Sequence, residues 1–285
     1  MKIIDSHVHF FDLTQGDYHW LNADNPPFWP DKKIISKNFN ESDLSLQRPL
    51  TIAGFVHIEA GYNNVAPWKE IEWLEKSCQL PFRSIAAIDL TLPCDEFHQL
   101  INKLVTFTSV VGCRHILDEQ ALQLLSSEQV QQNFVTLNQY QLNFEVQMPF
   151  ADEKAVNKLS HIIANNTDVT FIINHAGMPP TDDCMHSYHS SWYASLSRIS
   201  AFKNVAIKCS GWEMFDRRYD KLWLADIINQ CITLFDVHRV MISSNFPLTL
   251  FSCSYKNYWE TIIATLSQNQ QDLLHNNSKY WYKIP

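Results

Sequence analysis

Short stretches of strand-like alternation recur along the whole chain, each followed by a longer stretch with helical spacing. The first is Ile3–Phe10. On a strand successive side chains point to opposite faces, so this run puts Asp5, His7 and His9 on one face and Ile4, Val8 and Phe10 on the other. Ile52–Ala60 repeats the pattern, with Phe55, His57 and Glu59 in one phase and Val56, Ile58 and Ala60 in the other. Trp68, Ile71, Trp73 and Leu74 have the spacing of one helical face and predict a helix over Trp68–Cys78. Strands are then expected at Ser84–Leu90, Val110–Leu117, Leu142–Met148, Val169–Ala176, Val205–Gly211 and Arg239–Phe246. Helices are expected between and after them at Glu96–Thr106, Gln120–Tyr140, Asp152–Asn165, Ser190–Ser200, Leu222–Phe235 and Tyr258–Leu274. Alternation of this kind without a linker predicts one α/β domain over 1–285, a single parallel (β/α)8 barrel.

The expected strands end in polar residues: His7 and His9, His57 and Glu59, Asp89, Arg114 and His115, Glu145 and Gln147, His175, Lys208 and Ser210, and Asn245. In a barrel the C-terminal strand ends converge on one mouth, where sites are built. Any one of these side chains could be a satisfied core group. Their recurrence at strand after strand favours a pocket. Between the first two strands runs a long aromatic and proline-rich segment, from Phe11 through Tyr18-His19-Trp20-Leu21 to Asn25-Pro26-Pro27-Phe28-Trp29-Pro30. It reads equally as a lid or binding loop and as an aromatic plug on the barrel surface.

Composition narrows the picture. Hydrophobic residues make up 46% of the 285 positions, ample for a core, and six glycines with twelve prolines exclude a fibrous chain. The formal charge of −8, with no run of Lys or Arg, argues against nucleic acid or an anionic membrane as partner. Seven scattered cysteines with no CxxC, and no signal-like start, read as reduced thiols in a cytoplasmic protein. No apolar run approaches the roughly 20 residues a membrane span needs. The expected partner is a small-molecule substrate, and the oligomeric state stays open.

Six ordered segments resemble one family. Asp5-Ser6-His7-Val8-His9-Phe10 with Tyr18-His19-Trp20-Leu21 resembles an opening D-x-H-x-H and its Y-x-W-L. Val56-His57-Ile58-Glu59-Ala60-Gly61 resembles the second-strand segment, and Val111-Gly112-Cys113-Arg114-His115 the G-x-R-H of strand four. Asn174-His175-Ala176-Gly177-Met178-Pro179 resembles D-H-x-G-x-P. Val205–Gly211 resembles K-x-S-G, and Arg239–Pro247 resembles R-x-M-F-G-S-[DN]-[WF]-P. The chain is thereby similar to the amidohydrolase superfamily, in its amidohydrolase family 2 branch of sugar-lactone and pyrone-lactone hydrolases, which are TIM barrels. Two departures stand out. The strand-eight aspartate that many members use as base or metal ligand is Asn245, and Leu248-Thr249-Leu250 supplies no acid just past the proline. Strand four offers Arg114-His115 and no lysine, so a bridged binuclear metal centre is not expected.

The resemblance implies a hydrolase opening a small lactone or related cyclic ester. Such chemistry needs a clamp on the carbonyl, a base for water and a proton for the leaving alkoxide. His7, His9, His175 and Asn245 are the candidate catalytic residues. His7, His9 and His175 could ligate one divalent metal such as zinc, or donate hydrogen bonds to the carbonyl. Arg114 could hold a substrate carboxylate, or form a salt bridge with Glu145 or Glu59. Glu59, Glu145, Gln147, Lys208 and Ser210 complete the candidate substrate-binding set. An amide is no base near neutral pH, so His175 or His9 stands in for it. Glu59 or Glu145 would need a raised pKa, which Arg114 opposes. A cationic mouth on an acidic protein suggests an anionic lactone. Two other readings remain: a metal-dependent decarboxylase-like lyase, and a binding barrel whose chemistry left with the strand-eight aspartate.

Overall fold

The computed structural model describes residues 1–181, 186–266 and 268–285. Eight parallel strands stand side by side in chain order: β1 (Lys2–Val8), β2 (Thr51–Ile58), β3 (Phe82–Ala87), β4 (Val110–Arg114), β5 (Asn143–Val146), β6 (Thr170–Ile173), β7 (Val205–Cys209) and β8 (Val240–Ile242). The barrel closes where Val8 bridges Phe246 and His9 N–H donates to the Phe246 carbonyl at 2.7 Å. Helices cover the outside: α1 (Trp68–Ser77), α2 (Cys94–Leu104), α3 (Ala121–Ser126), α4 (Glu128–Gln139), α5 (Glu153–Asn165), α6 (His186–Ser200), α7 (Trp212–Phe215), α8 (Lys221–Phe235), α9 (Tyr255–Thr265) and α10 (Asn277–Trp281). This is the (β/α)8 barrel that the alternation predicts. No helix among the described residues is long and apolar enough to cross a membrane.

Strand alternation sorts the core into two layers. Ile4, Val56, Ile58, Ile85, Ile172, Ala206 and Met241 fill the barrel interior, closed from below by Tyr282 and Ile284. Arg83 Nε donates to the Lys283 carbonyl at 3.0 Å and Asn143 Nδ2 to the Trp281 carbonyl at 3.2 Å, tying the C-terminal segment to the strand starts. Residues of the opposite phase, such as Phe55, Phe144, Ile207 and Cys209, pack beneath the helices. Among the described residues Cys78, Cys94, Cys113, Cys209, Cys231 and Cys253 are free thiols, as their spacing predicts; Cys184 lies outside those residues.

Several expected boundaries change for local reasons. The run expected as one helix over Gln120–Tyr140 is broken by extended Ser127 (φ −74°, ψ 129°), which ends α3 and begins α4. β8 is short because the chain leaves the ladder at Ser243 and turns through Asn245, whose φ is 59°. In β1 the simple phase fails. Asp5 pairs with Phe55 and Val8 with His57, three steps against two, so one extra residue is bulged out. Asp5 therefore faces outward, accepting from Ser244 N–H at 3.0 Å, Ser244 Oγ at 2.5 Å and Tyr255 Oη on α9 at 3.0 Å. His7 and His9 point into the barrel. The expected shared face of Asp5, His7 and His9 is thus divided by the bulge.

Candidate active site

The bulge turns His7 and His9 into the barrel, where His9 lines the mouth and His7 is fully buried behind it. The His7 ring lies 5.0 Å from the His9 ring and 4.8 Å from the His175 ring, centroid to centroid. His175 comes from the turn after β6, where His175, Ala176, Gly177 and Met178 all have positive φ (53°, 50°, 70° and 59°). Left-handed backbone at non-glycine residues is strained and persists where packing holds it. Trp192 Nε1 donates to the Ala176 carbonyl at 2.8 Å, and Gly211 leaves room for the ring. A Cβ at Gly211 would lie 2.3 Å from His175 Nδ1, and Gly211 itself has φ +72°, so only glycine fits the end of the Lys208–Gly211 run.

The imidazoles differ in their hydrogen bonds. His9 Nδ1 lies 2.9 Å from the Ile58 carbonyl. A carbonyl only accepts, so Nδ1 carries the proton and Nε2 keeps its lone pair. His175 Nδ1 meets Ser210 Oγ at 3.0 Å. Both nitrogens of His7 are buried without a partner, which costs about 1–3 kcal/mol for each unsatisfied group. Burial, then the Lys208 charge, holds His7 well below the usual imidazole range. Burial, then Arg114, does the same for His9, and burial with Lys208 and Arg114 brings His175 down to about 3. All three rings are neutral near pH 7 and offer lone pairs.

That chemistry suits a divalent ion: imidazole nitrogens, one already oriented by a carbonyl from behind, and one ring with nothing else to bind. The spacing is looser than the chemistry. Among the described residues no group of three or more His, Cys, Asp or Glu stands in metal-holding geometry.

Below the histidines, Lys208 Nζ lies 2.6 Å from Glu145 Oε2, both fully buried, and Tyr282 Oη donates to Glu145 Oε1 at 2.5 Å. Burial outweighs this pairing and lowers Lys208 to about 8. Glu145 and Lys208 thus sit in the barrel interior and satisfy one another. At the rim, Arg114 Nη2 lies 2.6 Å from Glu59 Oε1, its Nε donates to the same oxygen at 2.7 Å, and Nη1 donates to Gln147 Oε1 at 2.9 Å. Of the two partners expected for it, Arg114 has taken Glu59. His57, Asp89 and His115 do not reach the mouth. His57 Nε2 accepts from Phe10 N–H, and His115 lies against the Ile88 carbonyl and Asp89 outside the barrel.

Above the histidines opens a cavity of about 650 Å³, lined by His9, His175, Asn245, Glu59, Arg114 and Gln147 among others. Trp20, Pro26, Pro27 and Trp29 of the long aromatic segment form one wall, so that segment both covers the barrel and lines the site. Its internal fastening is Lys32, whose Nζ donates to the carbonyls of Trp20, Asn22 and Asn25 at 2.8, 2.9 and 2.7 Å. Asp118 and Glu119 also line the cavity. The mouth therefore holds three carboxylates (Glu59, Asp118, Glu119) against one guanidinium already bound by one of them. The expected cationic mouth is corrected: Lys208 and Arg114 have each found a carboxylate two strands away in the barrel, Glu145 on β5 and Glu59 at the end of β2.

One residue escaped the sequence reading. Asn245 Nδ2 donates to Glu213 Oε1 at 2.6 Å. Glu213 is fully buried on α7, and its Oε2 has no partner. The acid missing after Pro247 stands instead two residues past Gly211, in the run Ser210-Gly211-Trp212-Glu213, just where β7 opens into the mouth. Its position after a strand end is the signal that could have found it.

A family model described as Amidohydrolase matches residues 4–284. Over its full length the chain is 24% identical to the Sinorhizobium fredii (strain NBRC 101917 / NGR234) protein called "Uncharacterized protein y4mH", covering 99% of that protein. A Burkholderia multivorans amidohydrolase solved with bound zinc superposes with a TM-score of 0.79 at 17% identity, covering all of both chains. A Pseudomonas putida protein provisionally described as a 2-pyrone-4,6-dicarboxylic acid hydrolase gives 0.70 at 17% identity, over 99% of this chain and 97% of that one. At such identities the structural matches speak for the fold.

Proposed function

The chain belongs to the amidohydrolase family, and from that premise we propose that it hydrolyses a small, neutral, hydroxyl-rich lactone at the barrel mouth. The observation that carries the reading is the lining of the cavity. Two indoles and two prolines line it together with carboxylates and amides whose natural partners are hydroxyl groups. A dicarboxylate would meet three carboxylates and a guanidinium already committed to Glu59, so the anionic substrate expected from sequence gives way to an uncharged one. Like-charge juxtaposition of this kind costs several kcal/mol in a partner.

In the reaction, water adds to the ring carbonyl carbon while the carbonyl π electrons move to oxygen. The proton released by water goes to a neutral imidazole, and His9 Nε2 is placed for this because its Nδ1–H is held by Ile58. The tetrahedral intermediate collapses, the ring C–O bond breaks, and the imidazolium returns its proton to the leaving alkoxide, giving the open hydroxy acid. Burial lowers the proton affinity of His9 and His175 well below that of a free imidazole, which corrects the expectation that they titrate near the working range: uptake of the water proton is uphill and its return to the alkoxide downhill. His7, His9 and His175 are the residues that would hold a zinc-like ion; with His9 Nε2 committed to such an ion, polarising the carbonyl and activating the water would fall to the ion in place of that imidazole.

The test is a panel pairing neutral aldonolactones with carboxylated lactones of matched ring size, followed by acid release. A kcat/KM at least tenfold higher for the neutral members is expected. Preference for dicarboxylates, or release of CO₂, would overturn the reading.

A further inference from the structure

We propose that Glu213 supplies a negative charge behind Asn245, the amide that faces the cavity, making Glu213 a positioning residue for the water at Asn245. The inference rests on the hydrolytic reading above. An ionised carboxylate only accepts hydrogen bonds. At 2.6 Å from Asn245 Nδ2, Glu213 therefore fixes which way the amide points. With Nδ2 committed to Glu213, Asn245 is left with Oδ1 to present to the cavity it lines. That oxygen accepts a hydrogen bond from water, and the charge behind it strengthens it as an acceptor. The positive φ of Asn245 holds its backbone in the turn that places the side chain between Glu213 and the cavity.

The arrangement responds to pH. Burial raises Glu213 to about 7, against the opposing hydrogen bond from Asn245. The groups that face it are Arg217 and Tyr219 beyond α7, Cys253 beyond the short turn Leu248–Phe251, and Tyr258 on α9. Among these only Arg217 is charged at neutral pH; its Nη1 donates to the Glu213 carbonyl. Protonated Glu213 can donate to Asn245 Oδ1, so the amide is free to turn over and present Nδ2 to the water. The ionised, working form thus fills as pH rises through about 7.

The experiment compares wild type with Glu213→Gln, Asn245→Ala and the exchange Glu213→Gln/Asn245→Asp on the best lactone of the panel, with melting curves to establish folding. Glu213→Gln keeps the shape and removes the charge. It should lower kcat about 10- to 100-fold, the usual loss for an orienting partner behind a reacting group. KM should stay nearly unchanged, and the limb of the kcat–pH profile near 7 should vanish. The exchange, which restores one carboxylate and one amide, should recover activity above that of Glu213→Gln. Infrared titration of the carboxyl band, wild type against Glu213→Gln, reads the charge whether or not any lactone turns over. A Glu213 band titrating near neutrality and shifted by Asn245→Ala supports the pair even if the lactone reading fails. A folded Glu213→Gln with wild-type kcat and pH profile would overturn the proposal, as would a Glu213 that stays protonated to pH 9.

Discussion

Changing Asn245 to aspartate would place two carboxylates where an amide now meets one. The Asn245 Nδ2 to Glu213 Oε1 distance is 2.6 Å, and both side chains are buried. Two unit charges at that separation repel by about 6 kcal/mol at an effective dielectric constant of about 20. Divided by about 1.4 kcal/mol per pH unit, this sets the two proton losses roughly four to five units apart. The pair then holds one proton and one charge across the whole neutral range. The proton stays on Glu213, which has no access to the cavity, and the charge settles on the new side chain, which lines it. In wild type, by contrast, Glu213 is only partly ionised at pH 7 because burial raises it to about 7. The variant should therefore keep its kcat at pH 5.5–6, where wild type declines, with the acid limb lowered by at least about one pH unit. Direct base help, worth about 10² to 10⁴ in rate, should raise kcat above wild type, while KM changes little because the shape is kept. Initial rates from pH 5 to 9 at saturating and limiting lactone measure both effects. A variant with lower kcat at pH 6 and an acid limb still near 7 would refute the reasoning, because it would mean the two side chains do not share a proton.

Two further outcomes follow from the geometry. Arg217 joins the aromatic wall to the barrel: its Nε lies 2.8 Å from Asp31 Oδ2, and its guanidinium carbon sits 4.2 Å from the Phe251 ring centre and 5.4 Å from that of Trp29. Arg217→Ala should cost about 1–2 kcal/mol of stability, raise KM several-fold and expose residues 22–31 to proteolysis; an unchanged KM and cleavage pattern would contradict a wall held by Arg217. Zinc at 100 times its Kd should stabilise wild type by about 2.7 kcal/mol and His7→Ala far less, read as Tm by calorimetry; no shift in wild type would remove the metal from the proposed site.

The alternation of strand and helix signals determined the barrel, because period-two and 3.6-residue patterns are local and survive any arrangement of the rest. It also determined that His7, His9, Arg114, His175 and Asn245 sit at strand ends; parallel closure then brought the last four to one cavity and buried His7 against the rings of His9 and His175. What a side chain does there depends on partners distant in sequence. The bulge that turns Asp5 away from His7 shows only in the register against β2. Along the chain Arg114 reads equally as a substrate clamp and as a salt-bridge partner; the closed barrel pairs it with Glu59, and Lys208 with Glu145, each across an intervening strand. Asn245 reads as a lost carboxylate until α7 sets Glu213 behind it, 32 residues earlier in sequence. Local pattern carries the fold; the charge and polarity of the pocket are sums over groups that only the closed barrel brings within hydrogen-bonding distance.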